Sequence, residues 1–142
     1  MQKNIQINKV FLDTNIIVDI IDHARDNHFY GVKLIEILIK KEIDIAISED
    51  MLTTIYYIVK DKLKVIGFIN YIMKKWNVYY YGDKLIRKAI KISMEKNVDF
   101  KDVLQCLCAV ENKCDLFITN DKKFYNCGIK LMSSKEFTEK FF

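Results

Sequence analysis

Lys9-Val-Phe-Leu-Asp-Thr-Asn15 decides the fold. A short apolar run rich in β-branched and aromatic residues reads as a buried strand. It stops in a carboxylate and an amide, ahead of Ile16, Ile17 and Ile20, whose spacing predicts a short helix. Leu116-Phe-Ile-Thr119 repeats the pattern and runs into Asn120-Asp121. In an open parallel sheet, ligands bind outside the carboxyl ends of the strands, so side chains at those ends converge on one crevice. Asp99 and Asp102 join them: three apart at the start of a predicted helix, they share one face. Several acids in one crevice repel each other unless a cation lies between them. Oxygen donors of this hardness suit Mg²⁺ or Mn²⁺, so the first expectation is a metal-dependent reaction at phosphate.

Outward from these segments, apolar runs and amphipathic stretches alternate. Helices are expected from about Phe29 to Lys41, Glu49 to Lys60, Leu63 to Lys75, Asp83 to Lys96 and Asp99 to Asn112. Strands are expected at Asp44–Ser48, Val78–Tyr81 and Ile129–Met132, with Gly82 as a turn. A turn of helix over Asp121–Tyr125 and a terminal helix from Ser133 or Ser134 complete the chain. Ser48 is placed to cap the helix after it. That helix is apolar nearly all round, through Met51, Leu52, Ile55, Tyr56, Tyr57, Ile58 and Val59, so it is either buried on two sides or part of an interface. Strands alternating with helices predict a parallel sheet covered on both faces, with right-handed crossovers.

The 142 residues are the length of one domain, and 51% apolar content supports a core. Nothing resembling a linker or repeat divides residues 1–142. A net charge of +4 permits nucleic acid as a partner without demanding it. No apolar run approaches a membrane span, and Met1-Gln-Lys-Asn leads into no signal-peptide core, so a soluble cytoplasmic protein is expected. Cys106, Cys108, Cys114 and Cys127 lack paired spacing and lie far from His23 and His28. Neither zinc nor a disulfide framework is therefore expected, but reduced, mostly buried thiols.

Each acid also has a plain structural account. Asp13 and Asp99 stand where helix caps stand, Asp102 lies in the positive first turn of a helix, and Asn120-Asp121 suits a turn bonded to its own backbone. Independent caps, however, have no need to share one edge of a sheet. Lys84, Arg87, Lys88 and Lys91 form a stripe opposite Leu85, Ile86 and Ile90 that reads as a solvated face. Lys122 and Lys123 border the acidic crevice and are the better substrate contacts. Tyr56, Tyr57 and the Val78–Tyr81 cluster suit base stacking or, more simply, packing.

Val10-Phe-Leu-Asp-Thr-Asn-Ile-Ile-Val-Asp19, Ser48 to Lys60, Asp99-Phe-Lys-Asp-Val-Leu-Gln105 and Ile118-Thr-Asn-Asp-Lys-Lys-Phe124 resemble, in order, the successive blocks of a PIN domain. The resemblance runs from Lys9 to about Phe137. It implies a three-layer α/β/α sandwich with a central, mainly parallel sheet. It also implies an Mg²⁺- or Mn²⁺-dependent ribonuclease, often the toxin half of a bacterial toxin–antitoxin pair. The family's acids fall on Asp13, Asp102 and Asp121 as metal ligands, with Asp99 an extra acid found in a subset. The usual glutamate of the helix after the second strand falls on Thr54, a poor ligand able to hold a water beside the metal.

With that acid lost, three or four carboxylates remain, which favours a one-metal site, or a second ion completed only by the substrate phosphate. Asp99 or Asp121 orients or deprotonates the attacking water, and Asn15, Thr119 and Asn120 position phosphate or ligands. The Met51–Val59 helix is then a surface for an antitoxin or a second copy of the chain. Two other readings compete. One is a degenerate domain that binds RNA or protein without cutting, because Thr54 replaces an acid. The other is a receiver- or phosphatase-like domain, which would want Asp-x-Asp where this chain has Asp-Thr-Asn.

Overall fold

The computed structural model describes residues 6–142, so the Met1-Gln-Lys-Asn segment lies outside the described residues. Five strands, β1 (Lys9–Leu12), β2 (Asp44–Ser48), β3 (Asn77–Tyr79), β4 (Leu116–Ile118) and β5 (Leu131–Met132), form one sheet in the order β3-β2-β1-β4-β5. Every pairing is parallel. Among the described residues seven helices accompany them, six between strands and the last after β5: α1 (Thr14–Ile21), α2 (His28–Lys40), α3 (Asp50–Ile58), α4 (Lys62–Lys75), α5 (Gly82–Lys96), α6 (Phe100–Glu111) and α7 (Ser134–Phe141). Parallel strands need such crossovers, and helices on both faces bury the sheet. The sandwich expected from the alternation is the observed fold.

β1 is central because Val10, Phe11 and Leu12 are wholly buried and bond on both sides. Phe11 stacks on Phe117 of β4 with ring centroids 5.2 Å apart, and Phe124 stacks on the same Phe117 at 4.4 Å. Gly31 lets α2 approach the backbone of α1: a Cβ there would stand 3.2 Å from the Ile20 nitrogen. The last helix begins with a complete capping box between Ser133 and Glu136. No described helix is long and apolar enough to cross a membrane.

Three expectations are corrected, and a fourth is narrowed. Ser48 does not cap α3, since its hydroxyl oxygen accepts from the Tyr81 hydroxyl at 3.0 Å and Glu49 holds the cap position. Residues 121–125 form a turn, not a helix, closed by the Phe124 N–H on the Asp121 carbonyl at 3.2 Å. α3 buries Met51 and Ile55 and turns Tyr57 and Ile58 outward, so it is not buried on two sides, and of the two alternatives for this helix the interface is left open. Finally, the thiols are not all reduced: Cys106 and Cys127 form a disulfide, leaving Cys108 and Cys114 free. The partners are 21 residues apart. Such pairing depends on where the chain after β4 folds back over α6, which local spacing does not encode.

Candidate active site

Sheet order reverses between β1 and β4: the chain moves outward from β1 to β2 and β3, then returns to the other side of β1 for β4 and β5. At such a switch point the connections diverge to opposite faces and leave a crevice beyond the strand ends. Asp13 follows β1 there, Thr119, Asn120 and Asp121 follow β4, and α6 opens near the same edge because it must run back down before β4 begins. Asp102 lies in its first turn.

Asp13 occupies the cap position of α1, yet its side chain makes no capping bond. Its Oδ2 instead accepts from the Thr119 hydroxyl at 2.8 Å, and its buried Oδ1 has no partner among the described residues. The Thr119 oxygen in turn accepts from the Asp121 backbone N–H at 3.1 Å. One hydroxyl thus ties the acid of β1 to the acid of β4. Burial pushes the Asp13 carboxyl above the usual range, with Asp121 acting in the same direction and Thr119 and Lys101 opposing them.

Asp102 is 8% exposed, and burial, with Asp99 beside it, pushes its carboxyl up to about 6. Asp121 adds to that repulsion. Asp99 caps α6, its Oδ1 accepting the Asp102 N–H at 3.0 Å, so the plain account holds for Asp99, while Asp102 lies in the first turn as its own account has it but with its charge opposed by burial and by Asp99. A carboxyl raised on folding favours the native state when protonated, so its charged form weakens the fold as pH climbs from about 4 to about 6. Asp102→Asn is therefore expected to raise the melting temperature of the metal-free protein at pH 7.5. The gain is roughly 2 kcal/mol, or about 5 °C, measurable by circular dichroism.

The other named residues are less closely drawn in. Asp121 is exposed, its Oδ1 accepting the Lys123 N–H at 2.9 Å in a local turn. Lys122 and Lys123 are exposed beside it. Asn15 is exposed and accepts from Arg25 at 3.4 Å. Thr54 is exposed, and its hydroxyl donates to the Asp50 carbonyl one turn back, 3.2 Å away. A cleft of about 320 Å³ beside Asp121 is flanked by Asn120, Lys122, Met132 and Glu136.

Tyr79 and Tyr81 are spent on Lys9 and Ser48, leaving Tyr57 and Tyr80 as exposed rings. Lys84, Arg87, Lys88 and Lys91 are exposed, with Arg87 paired to Asp83. Lys101 carries no distinctive signal in the sequence, although it stands between Asp99 and Asp102. Its charge acts on both Asp13 and Asp102. Gln105, one turn beyond Asp102, is wholly buried with neither amide atom bonded among the described residues.

The donor set is all oxygen, and the orphaned Oδ1 of Asp13 is the kind of group that a hard cation satisfies. In that respect the residues fit a divalent ion. The side chains stand open: among the described residues no three of His, Cys, Asp or Glu are gathered closely enough to form a cage.

Comparison with known proteins bears on the fold and the family. The family model described as PIN domain matches residues 9–123. Ribonuclease VapC1 of Aquifex aeolicus is 38% identical over 137 residues, covering 93% of this chain and 94% of that protein. Among solved structures, VapC20 of Mycobacterium tuberculosis, a Sarcin-Ricin loop cleaving toxin, has a TM-score of 0.67 at 12% identity. That match covers 84% of this chain and 95% of the other. VapBC2 of Rickettsia felis, bound to a DNA fragment from its promoter, matches with a TM-score of 0.64 at 21% identity, over 88% and 98% of the two chains. With acids from β1, α6 and β4 at one switch point and the family match running from β1 past Asp121, this chain belongs to the PIN domain family.

Proposed function

We propose that the chain is an endoribonuclease, dependent on Mg²⁺ or Mn²⁺, that hydrolyses phosphodiester bonds of RNA as the cytoplasmic toxin of a toxin–antitoxin pair. The observation that carries this reading is the Thr119 bridge between Asp13 and Asp121, with Oδ1 of Asp13 left buried and unbonded at the crevice. Asp13, Asp102 and Asp121 would hold the ion, which supplies a lowered pKa for bound water and neutralises charge at phosphorus. Thr119 holds Asp13 in register with the β4 turn. Asp99 or Asp121 would orient or deprotonate the attacking water, and Lys122, Lys123 and Lys101 would neutralise the phosphate backbone that enters.

Similarity to Ribonuclease VapC1 and to a VapBC complex supports the same reading and the antitoxin as partner. Tyr57, Ile58, Leu63 and Ile66 leave apolar surface on α3 and α4 for that antitoxin or for a second copy of the chain. Adding EDTA is expected to abolish cleavage of single-stranded RNA, and excess Mg²⁺ or Mn²⁺ to restore it. Cleavage that persists in EDTA would end the metal-dependent reading.

One observation favours a second reading. Thr54, on the family's glutamate position, is turned back onto its own helix. A chain that lost this acid and with it the ion would bind RNA or protein without cutting. Calorimetry with Mn²⁺ separates the two, since the degenerate domain gives no saturable heat at millimolar metal.

A further inference from the structure

Asp19 is the buried carboxylate that the crevice chemistry does not use. It lies on α1, 4% exposed, and each of its oxygens has one partner. Oδ1 accepts from Arg25 Nε at 3.1 Å, and Oδ2 accepts from Asn120 Nδ2 at 3.4 Å. The orientation of the Asn120 amide is fixed from its other end. Both the backbone N–H and the hydroxyl of Ser134 donate to Asn120 Oδ1, at 3.0 and 3.2 Å, so the NH₂ end must face Asp19.

Asn120 is thereby clamped between an acceptor on α1 and two donors at the start of α7. Its chain neighbours are Thr119, which bonds Asp13, and Asp121. An ion pair fastening α1 to the following loop accounts for Arg25 alone. It gives no reason to turn the second oxygen of a buried, costly carboxylate toward the β4 turn.

We infer that Asp19 is a positioning residue for the acidic crevice, acting through Asn120 to set the direction in which the β4 turn presents Asp121 and holds Thr119 against Asp13. This rests on reading the crevice as a nuclease site. Arg25 and Asn120 approach different oxygens of Asp19, so an amide at position 19, with an NH₂ in place of one oxygen, turns a donor toward one of these two donors.

Asp19→Asn is therefore expected to lower kcat for RNA cleavage by 10- to 100-fold, with KM changed less than twofold because Asp19 touches no substrate. Combining it with Asn120→Ala is expected to cost no more than the larger single loss. In the metal-free protein, the backbone amide resonances of Thr119 and Asp121 should shift in Asp19→Asn. Ser134→Ala, which removes one of the two donors to Asn120, is the second variant should Asp19→Asn fail to fold. It is expected to lose several-fold in kcat at constant KM.

Wild-type kcat in a folded Asp19→Asn or Ser134→Ala, additive losses in the double variant, or unmoved amides at 119 and 121 would overturn the assignment. A wild-type protein that cuts no RNA would instead overturn the nuclease reading, and the amide shifts would still decide whether Asp19 shapes the turn.

Discussion

Asp13→Asn is expected to reduce RNA cleavage by about three orders of magnitude, roughly 4 kcal/mol of transition-state stabilisation, while leaving the melting temperature within a few degrees of wild type. The asymmetry arises from how this carboxylate is held. Oδ2 is engaged by Thr119, and Oδ1 is buried with no partner among the described residues, so the charge contributes little to holding the fold. Burial already resists that charge. An amide of the same shape keeps an acceptor for the Thr119 hydroxyl and removes the negative oxygen that a divalent ion or a reacting water needs. Single-turnover cleavage with Mg²⁺, paired with a circular-dichroism melt, measures both halves. Activity within tenfold of wild type would remove Asp13 from the chemistry.

The second large effect is on stability. Reducing the Cys106–Cys127 bond is expected to destabilise the protein by roughly 3 kcal/mol, since a closed loop of this length restricts the unfolded chain by about that much. For a domain of this size that is a fall of about 10 °C in melting temperature. The bond joins α6, which carries Asp102, to the segment after β4, where the Cys127 N–H also faces the Cys106 sulfur at 3.1 Å. A paired Cys106→Ala/Cys127→Ala variant is expected to melt at the lower temperature with or without dithiothreitol. Thiol titration of the denatured wild type should rise from two groups, Cys108 and Cys114, to four on reduction. An identical melt in oxidised and reduced protein would refute this account.

The parts of the fold legible in the sequence are those set by local periodicity and by chain ends that break it. β1 and β2 have the expected bounds, and α2, α4, α5 and α6 begin and end within about two residues of their expected limits, because apolar spacing and terminal polar residues agree there. Ser48 reads as a cap because a serine before a helix suits capping, while its actual partner, Tyr81, lies 33 residues away. Tertiary packing of Phe124 on Phe117 likewise makes residues 121–125 a turn where a helix is expected.

The same division holds at the crevice. That Asp13, Asp102 and Asp121 share an edge is readable, since strand ends and helix starts fix it. That the Thr119 hydroxyl joins two of them is not, because a hydroxyl's partner is chosen only once β1 and β4 lie side by side. Asp19 is hidden for a similar reason: an aspartate on a short amphipathic helix reads as a surface position, and only its partners, Arg25 and Asn120, reveal why it is buried.

The two flanks of the sheet are three and two residues long, Asn77–Tyr79 and Leu131–Met132. Strips this short expose few unpaired amides and carbonyls, so they make poor templates for a strand donated by another polypeptide. Recognition by β-augmentation is thereby disfavoured, and the exposed side chains of the helices are the better surface for any protein partner.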